Sequence, residues 1–390
     1  MCRRIRFELA LAAAVAVASC TRRTEPDGPP RLVMGSGTGT VILRGPDGSV
    51  TRDATMQIMI DPLPGVSTDG FALPLVSPDG SRLAWQPSSN ADWPTLLAQP
   101  DATRALRAAV AGREIGVAEG WTRPEPMLLG RMATASGVLV EAPQPDGARW
   151  IGLVPWDGGA PVWLAQDAAV NAFAALGPRG ERAWCRRAPD ADGLDLVLER
   201  PEGRLEWPRR PGESWYMPVV GVDGAYACSL RDGVLELAYL PLRPGEALTR
   251  SEAEPAIVRK RISLRGTPRM AYQAFSACPA DRAATPAGLL FFHPDLRRMA
   301  VWDPRGESVR LLAERSVAAF LQPDGSALVS LPDRLVMQEM PPEPGLAPLQ
   351  VVPGLWIARG RDAQGLLMLG PGRDACQVSR LRLGGASGAR

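Results

Sequence analysis

The stretch Val76-Ser77-Pro78-Asp79-Gly80-Ser81-Arg82-Leu83-Ala84-Trp85 places a Pro-Asp-Gly turn between two short apolar runs. Proline presets the backbone of the first turn residue, aspartate can bond to nearby backbone amides, and glycine accepts a positive φ. The stretch therefore predicts a tight β-hairpin. Similar stretches occur at 176–184, 220–227 and 321–329, so the chain repeats this hairpin.

A second hairpin follows several copies of the first. These second hairpins turn at Asp101, 156–159, 201–203 and 303–306. Two hairpins in about 40 to 50 residues are typical of the four-stranded blade of a propeller. We therefore predict an all-β fold: a single β-propeller over residues 32–390 with about seven blades, six or eight being the alternatives.

The turn at Ser77–Trp85 resembles the WD-like repeat of TolB-type propellers, whose blades carry a Ser-Pro-Asp-Gly turn between their first two strands. The resemblance extends loosely over residues 70–390 and implies the propeller fold. It implies no TolB partner, because unrelated functions share this fold. Unlike TolB, this sequence is expected to have no α/β domain before its propeller.

The two ends of the domain are predicted to meet. From residue 351 on, the sequence offers candidates for about three strands of the last blade, while 32–43 precedes the first complete blade. Because unpaired edge strands are a liability, we predict that residues 32–45 pair with the C-terminal blade and close the ring. The one helix-like stretch is 101–111, and negligible helix is expected past residue 32.

The N-terminus has the order of a secretory signal. Arginines 3, 4 and 6 precede an apolar run from Leu9 to Ala18, and Ser19 stands before Cys20. Such a run is too short to span a bilayer, which needs about 20 residues. We predict a signal peptide over 1–19 and a polar, proline-containing tether over 20–31.

Val17-Ala18-Ser19-Cys20 resembles the lipobox of bacterial lipoproteins. The resemblance implies cleavage after Ser19 and lipid attachment to Cys20, which anchors the protein to a membrane. The alternative is an ordinary cleaved signal with an incidental cysteine. Thr21 is not the aspartate that retains such proteins at the inner membrane of enteric bacteria, which favours the outer membrane of the cell envelope, facing the periplasm.

Composition excludes several functions. The formal charge of +2 falls to zero once the signal, with three arginines and one glutamate, is removed, so no basic excess indicates nucleic-acid binding. His293 is the only histidine, and no Gly-x-Ser-x-Gly elbow accompanies it. The glycines of 35–39 and the aspartates of 190–195 do not have dinucleotide or calcium-loop spacing. We predict no catalytic residue, no metal and no cofactor.

Binding is expected where the loops vary. In an antiparallel blade, the Pro-Asp-Gly turns share one face, and the irregular turns between second and third strands lie on the other. The candidate residues of that face are Trp93, Asp146, Asp190, Asp192, Asp232, His293 and Asp295. Most other tryptophans, and buried free thiols at cysteines 185, 228, 278 and 376, are predicted to belong to the packing between blades.

Two functions remain open. The first is a binding or scaffolding lipoprotein that engages a protein partner in the envelope, as a monomer or an oligomer. The alternative is an envelope enzyme, a carboxylate-based glycosidase or similar, with acids such as Asp92, Asp146 or Asp190 at the channel mouth. An open channel with two nearby carboxylates favours the enzyme, and a plugged channel favours binding.

Overall fold

A computed structural model of the chain describes residues 37–44, 50–68, 74–86, 106–110, 120–123, 127–245, 249–276, 278, 280–322, 326–338, 349–361, 365–371 and 376–384. These residues are mostly β-strands with few helices, in keeping with the predicted fold class. The strands form six hydrogen-bonded sheets within the described ranges.

Sheets I and II follow the two N-terminal strands, β1 (Gly37–Arg44) and β2 (Val50–Thr68). Sheet I contains β3 (Leu75–Val76), β4 (Arg82–Trp85), β5 (Leu106–Val110) and β6 (Gly120–Arg123). Sheet II has eight strands in two halves: β7 (Leu128–Ala133), β8 (Gly137–Pro143), β9 (Arg149–Pro155) and β10 (Val162–Ala165), then β11 (Val170–Leu176), β12 (Arg182–Arg187), β13 (Asp195–Arg200) and β14 (Gly203–Glu206). A single parallel pair, Val170 with Arg149, joins the halves.

Sheets III, IV and V have four strands each. Sheet III contains β15 (Glu213–Val220), β16 (Gly224–Arg231), β17 (Val234–Pro241) and β18 (Val258–Ser263). Sheet IV contains β19 (Ala284–Thr285), β20 (Gly288–His293), β21 (Arg298–Asp303) and β22 (Ser308–Leu311). Sheet V contains β23 (Ala318–Leu321), β24 (Ala327–Ser330), β25 (Arg334–Gln338) and β26 (Leu349–Pro353).

Sheet VI joins the two ends of the chain. It contains β27 (Ile357–Arg361), β28 (Leu366–Pro371) and β29 (Cys376–Gly384), and β2 pairs with β29 in antiparallel fashion. The prediction that residues 32–45 pair directly with the C-terminal strands is wrong for 37–44, since β1 pairs with the far side of β2. Strand β2 takes the inner place because its Leu63 and Val66 are buried against Val378. Residues 32–36 and 45 lie outside the described ranges.

The Pro-Asp-Gly hairpin forms as its sequence predicts. The Ser77 amide donates to the Arg82 carbonyl at 2.9 Å, and Gly80 has a φ of 72°. Asp79 accepts hydrogen bonds from the Ser77 hydroxyl at 2.5 Å and from the Ser81 amide at 3.1 Å. The turn is therefore fixed by local chemistry before any packing between sheets.

Three helices contradict the expectation of negligible helix. They are α1 (Arg250–Ala256), between β17 and β18, and α2 (Pro268–Ser276) and α3 (Ala280–Ala283), between β18 and β19. The helix-like stretch 101–111 is also corrected: 106–110 form β5, because pairing with β4 and β6 overrides local preference, while 101–105 and 111 lie outside the described residues. No helix in the described part is long and apolar enough to cross a membrane.

Tryptophans and thiols fill the spaces between sheets. Trp85, Trp184 and Trp302 are buried, as predicted for core residues. Among the cysteines whose side chains the structure describes, Cys185 and Cys228 are free and buried, and Cys278 is buried. The prediction of buried free thiols is confirmed for Cys185 and Cys228, and the side chain of Cys376 lies outside the description.

Candidate functional site

The first strands of neighbouring sheets line a common interior. Strand β7 contacts β3 and β11, β11 contacts β15, and β27 contacts both β3 and β23. These contacts link sheets I, II, III, V and VI through their first strands. In such an arrangement, a functional site can lie in the interior or at the turns at the two ends of the sheets.

Helices α2 and α3 occupy this interior. The four-residue α3 contacts β7, β11, β15, β19 and β23, the first strands of four sheets, which is possible only if it lies among them. The helices pack through small side chains, since Ala271, Ala274 and Ala283 are fully buried. Phe275 is buried with them and belongs to the largest apolar cluster among the described residues. The connection between sheets III and IV therefore enters the interior formed by the described first strands.

Arg131 holds the end of α2 in place. It lies in a break of the β7–β8 register, and its guanidinium donates to the Pro218 carbonyl at 3.0 Å and to the Phe275 carbonyl at 3.3 Å. Burial lowers the pKa of Arg131 to about 10, so the group stays protonated at neutral pH. Arg131 thus ties sheet II to sheet III and to the C-terminal turn of α2.

Two bulky residues beside Arg131 have left-handed backbones. Phe173 in β11 has a φ of 61° and Met217 in β15 a φ of 55°, each at a register shift of its strand. This conformation is strained for large side chains. The carboxylate of Glu141 stabilises one of them: it accepts the Phe173 amide at 2.7 Å and forms an ion pair with Arg149 at 3.0 Å.

The interior groups favour packing over proton transfer. The Phe173 ring lies 6.3 Å from the ring of Tyr272 on α2, between centroids. Burial raises the pKa of Tyr272 and of the Cys185 thiol, so both remain protonated at neutral pH. A protonated thiol is a poor nucleophile. These groups can position the helices, and their protonation states do not suit a nucleophile or a general base.

The predicted acids of sheet II lie in turns between second and third strands. Asp146, between β8 and β9, is exposed and accepts the Ala148 amide at 3.0 Å. Asp190 and Asp192 lie together between β12 and β13, and Asp192 forms an ion pair with Arg209 at 3.2 Å. Arg209 also pairs with Asp195 at 2.8 Å.

The remaining candidates lie in the equivalent turns of sheets III and IV. Asp232 is exposed in the β16–β17 turn with a φ of 50°. His293 ends β20, where its Nδ1 accepts the Leu296 amide at 3.4 Å, and exposed Asp295 follows in the same turn. Trp93 and Asp92 lie outside the described residues. Within those residues, no group of three or more histidine, cysteine or acidic side chains could hold a metal ion.

Sequence reasoning missed Arg131, Glu141 and Tyr272. A signal exists for Arg131, which is the only charge within the apolar strand Leu128–Ala133 and follows Gly130. A Cβ on Gly130 would lie 2.6 Å from the Leu139 carbonyl oxygen, so the backbones approach closely where the register breaks. A single charged residue next to a glycine that the packing requires, as Arg131 is next to Gly130, indicates a side chain that faces the interior.

Comparisons with known proteins support the fold. No family model and no curated protein matches the chain. Among solved structures, a puromycin-hydrolyzing peptidase from Mycobacterium tuberculosis is similar with a TM-score of 0.50 and 14% identity over 81% of this chain and 52% of that one. Prolyl oligopeptidase B from Galerina marginata (TM-score 0.43, 10% identity, 82% and 52% covered) and TolB from Acinetobacter baumannii (TM-score 0.35, 11% identity, 61% and 60% covered) are also similar.

At 14% identity, the likeness to the puromycin-hydrolyzing peptidase, a propeller-type neighbour, shows the fold alone. The chain spans about half the length of the prolyl oligopeptidase and the puromycin-hydrolyzing peptidase that it resembles.

Proposed function

We propose that the chain is a lipid-anchored β-propeller of the bacterial cell envelope that binds a protein partner through the turns between its second and third strands. The observation that carries this proposal is the position of α2 and α3 among the first strands. Helices in the interior favour recognition at the surface over glycoside chemistry at a channel mouth, because such chemistry needs an open channel for its substrate.

The sheets support a count of about seven blades. The halves of sheet II have four strands each and share only the pair Val170–Arg149, so we count them as two blades. Sheet VI then supplies the last blade, closed by β2 against β29, with β1 as an additional outer strand. Such closure would leave the ring without open first and last blades.

The binding surface is defined by the turns that contain Asp146, Asp190, Asp192, Asp232, His293 and Asp295, which we call the loop face. Because the first strands of successive sheets contact each other, these turns would gather at one end of the molecule. They differ in sequence and rest on paired strands, the usual setting for binding specificity. The opposite surface, which contains the Pro-Asp-Gly turns, is called the hairpin face.

The anchor would be lipid on Cys20, most consistent with an outer-membrane protein facing the periplasm. Two or more acyl chains hold a protein stably on a membrane, whereas one chain does not. Labelled palmitate should enter the intact protein and be lost in Cys20→Ser. Palmitate absent from the intact protein would contradict the anchor without affecting the fold.

Site-specific photo-crosslinking in the producing cells tests the binding surface. A benzophenone amino acid is placed on the loop face at Asp190 or Asp295, and on the hairpin face at Pro178 or Glu202; all four residues are exposed. The proposal predicts a discrete protein adduct from the loop-face positions alone. Adducts only from the hairpin face, or from none of the four positions, would contradict it.

A further inference from the structure

A small depression lies between sheet I and the first half of sheet II, at their hairpin ends. It has a volume of about 280 Å³ and is lined by Arg82, Ser136, Pro155, Trp156 and Asp157. Arg82 directly follows the Pro-Asp-Gly-Ser turn of the sequence repeat, and Trp156 follows the end of β9. The depression therefore combines a guanidinium, an indole and a carboxylate on the hairpin face, away from the loop face.

Arg82 is held in place before any ligand arrives. Its Nη1 donates to the Ala135 carbonyl at 3.1 Å, and its guanidinium carbon lies 5.9 Å from the centre of the Trp156 ring. Trp156 is buried, and its indole donates to the Thr134 carbonyl at 2.8 Å. A guanidinium fixed over a fixed indole loses little conformational entropy when it binds an anion.

Asp79, in the turn before Arg82, forms no ion pair with it. Asp79 lies close enough for Arg82 to help lower its pKa, but hydrogen bonds from Ser77 and Ser81 already occupy both of its oxygens. The Nη1 bond to Ala135 uses only one of the five guanidinium donors. In the described part of the chain, Arg82 has no carboxylate within ion-pair distance, which leaves donors for an incoming carboxylate.

Asp157 supplies the complementary group. One of its oxygens accepts the Gly159 amide at 2.8 Å, which fixes the carboxylate in the β9–β10 turn, and the side chain remains exposed. The second oxygen can accept a further N–H donor. Pro155, which is partly exposed, also lines the depression.

We propose that this depression binds a carboxylate flanked by an N–H donor, the group shared by a free amino acid and the C-terminal residue of a peptide. The carboxylate pairs with Arg82, the N–H donates to Asp157, and the ligand side chain lies against the partly exposed Pro155. A guanidinium suits this task because it can bind both carboxylate oxygens at once. The site is independent of the partner proposed for the loop face.

Calorimetric titration with three probes tests the ligand class: the tripeptide Ala-Ala-Leu, the same peptide with an amidated C-terminus, and free leucine. We expect saturable binding of at least one free-carboxylate probe and at least about tenfold weaker binding of the amide. Tighter binding of the tripeptide identifies chain ends as the source, and tighter binding of leucine identifies free amino acids. No saturation by either free carboxylate, or equal binding of the amide, overturns the proposal.

Matched variants test the residues. Arg82→Gln should weaken binding at least about tenfold, whereas Arg182→Gln, at the equivalent place after the Gly-Pro-Arg-Gly turn, should leave it unchanged. Asp157→Asn keeps an acceptor for Gly159 and should weaken the binding of leucine more than that of the tripeptide, because leucine presents a charged ammonium.

Thermal melting checks that each variant is folded. If Arg82→Gln fails to fold, Arg82→Lys replaces it, with severalfold weaker binding expected because the fork geometry is lost. Wild-type affinity in the folded Arg82 variant and in Asp157→Asn overturns the proposal.

Discussion

Arg131 donates a hydrogen bond to the Phe275 carbonyl at 3.3 Å, across 144 residues of sequence. The bond connects a first strand to the C-terminal turn of α2, whose last carbonyls have no partners within the helix. A cation at this end also complements the helix dipole. This contact explains how a connection between two sheets can be held in the interior of the molecule.

Replacing Arg131 should loosen this arrangement. Arg131→Met removes the donors to Pro218 and Phe275 and leaves both carbonyls without these bonds. We expect a loss of about 1–3 kcal/mol in the free energy of unfolding, moderated because a desolvated charge is also removed. Urea denaturation measures it. Arg187→Met, at an exposed position, is the control and should change little; equal effects of the two variants would show that Arg131 is not an anchor.

Glu141 is expected to stabilise the left-handed backbone of Phe173. Glu141→Ala removes the acceptor of the Phe173 amide and the ion pair with Arg149, and should cost about 2–3 kcal/mol. Glu141→Gln retains a side-chain oxygen and should cost about 1 kcal/mol. Denaturant titration of both variants measures the two losses in the free energy of unfolding. If alanine is tolerated as well as glutamine, the carboxylate does not hold the bulge.

The pairing of β2 with β29 can be tested by a cross-link. Ile60 faces Leu381 in this register, so Ile60→Cys with Leu381→Cys should oxidise to a disulfide. The control pair, Ile60→Cys with the exposed Val162→Cys of sheet II, joins different sheets and should stay reduced. Mass spectrometry after mild oxidation identifies the bond. A cross-link in the control alone would contradict the register.

The single histidine should report on the loop face. Burial lowers the pKa of His293 below its ordinary value of 6.5, while Asp295 raises it and Arg298 lowers it further. A lowered pKa means that the unfolded chain binds the proton more tightly, so this contribution to stability is present at neutral pH and is lost as pH falls below about 6.5. Proton NMR should give a pKa under 6.5, and a lower one in Asp295→Asn. An increase in Asp295→Asn would contradict this arrangement.

The parts of the fold that sequence could predict are those fixed by local chemistry. The hairpin at Ser77–Arg82 follows from proline, aspartate and glycine in adjacent positions, and the buried Trp302 follows from strand alternation. The helices α2 and α3 are short, and their position depends on first strands far away in sequence, which no local pattern encodes. The strand that pairs with the C-terminal blade cannot be identified from sequence for the same reason. Residues 37–44 and 50–68 both have strand character, and only the burial of Leu63 and Val66 places the second against β29.

The candidate acids show the same division. Asp146 and Asp192 lie in turns between second and third strands, where both remain exposed. The ion pair of Asp192 with Arg209 depends on the geometry of the connection to sheet III and could not be anticipated. Arg131, alone in an apolar strand, gave too weak a signal to indicate an anchor for α2.

Hydrogen exchange tests the central claim, that α2 fills the interior, most directly. Helix α1, which has mostly exposed residues, serves as the internal control within the same molecule. If α2 lies among the first strands, the amides of Ala274 and Phe275 should exchange orders of magnitude more slowly than those of α1, close to the limit set by global unfolding. Exchange of α2 as fast as that of α1 would show that the interior is open and would contradict the account.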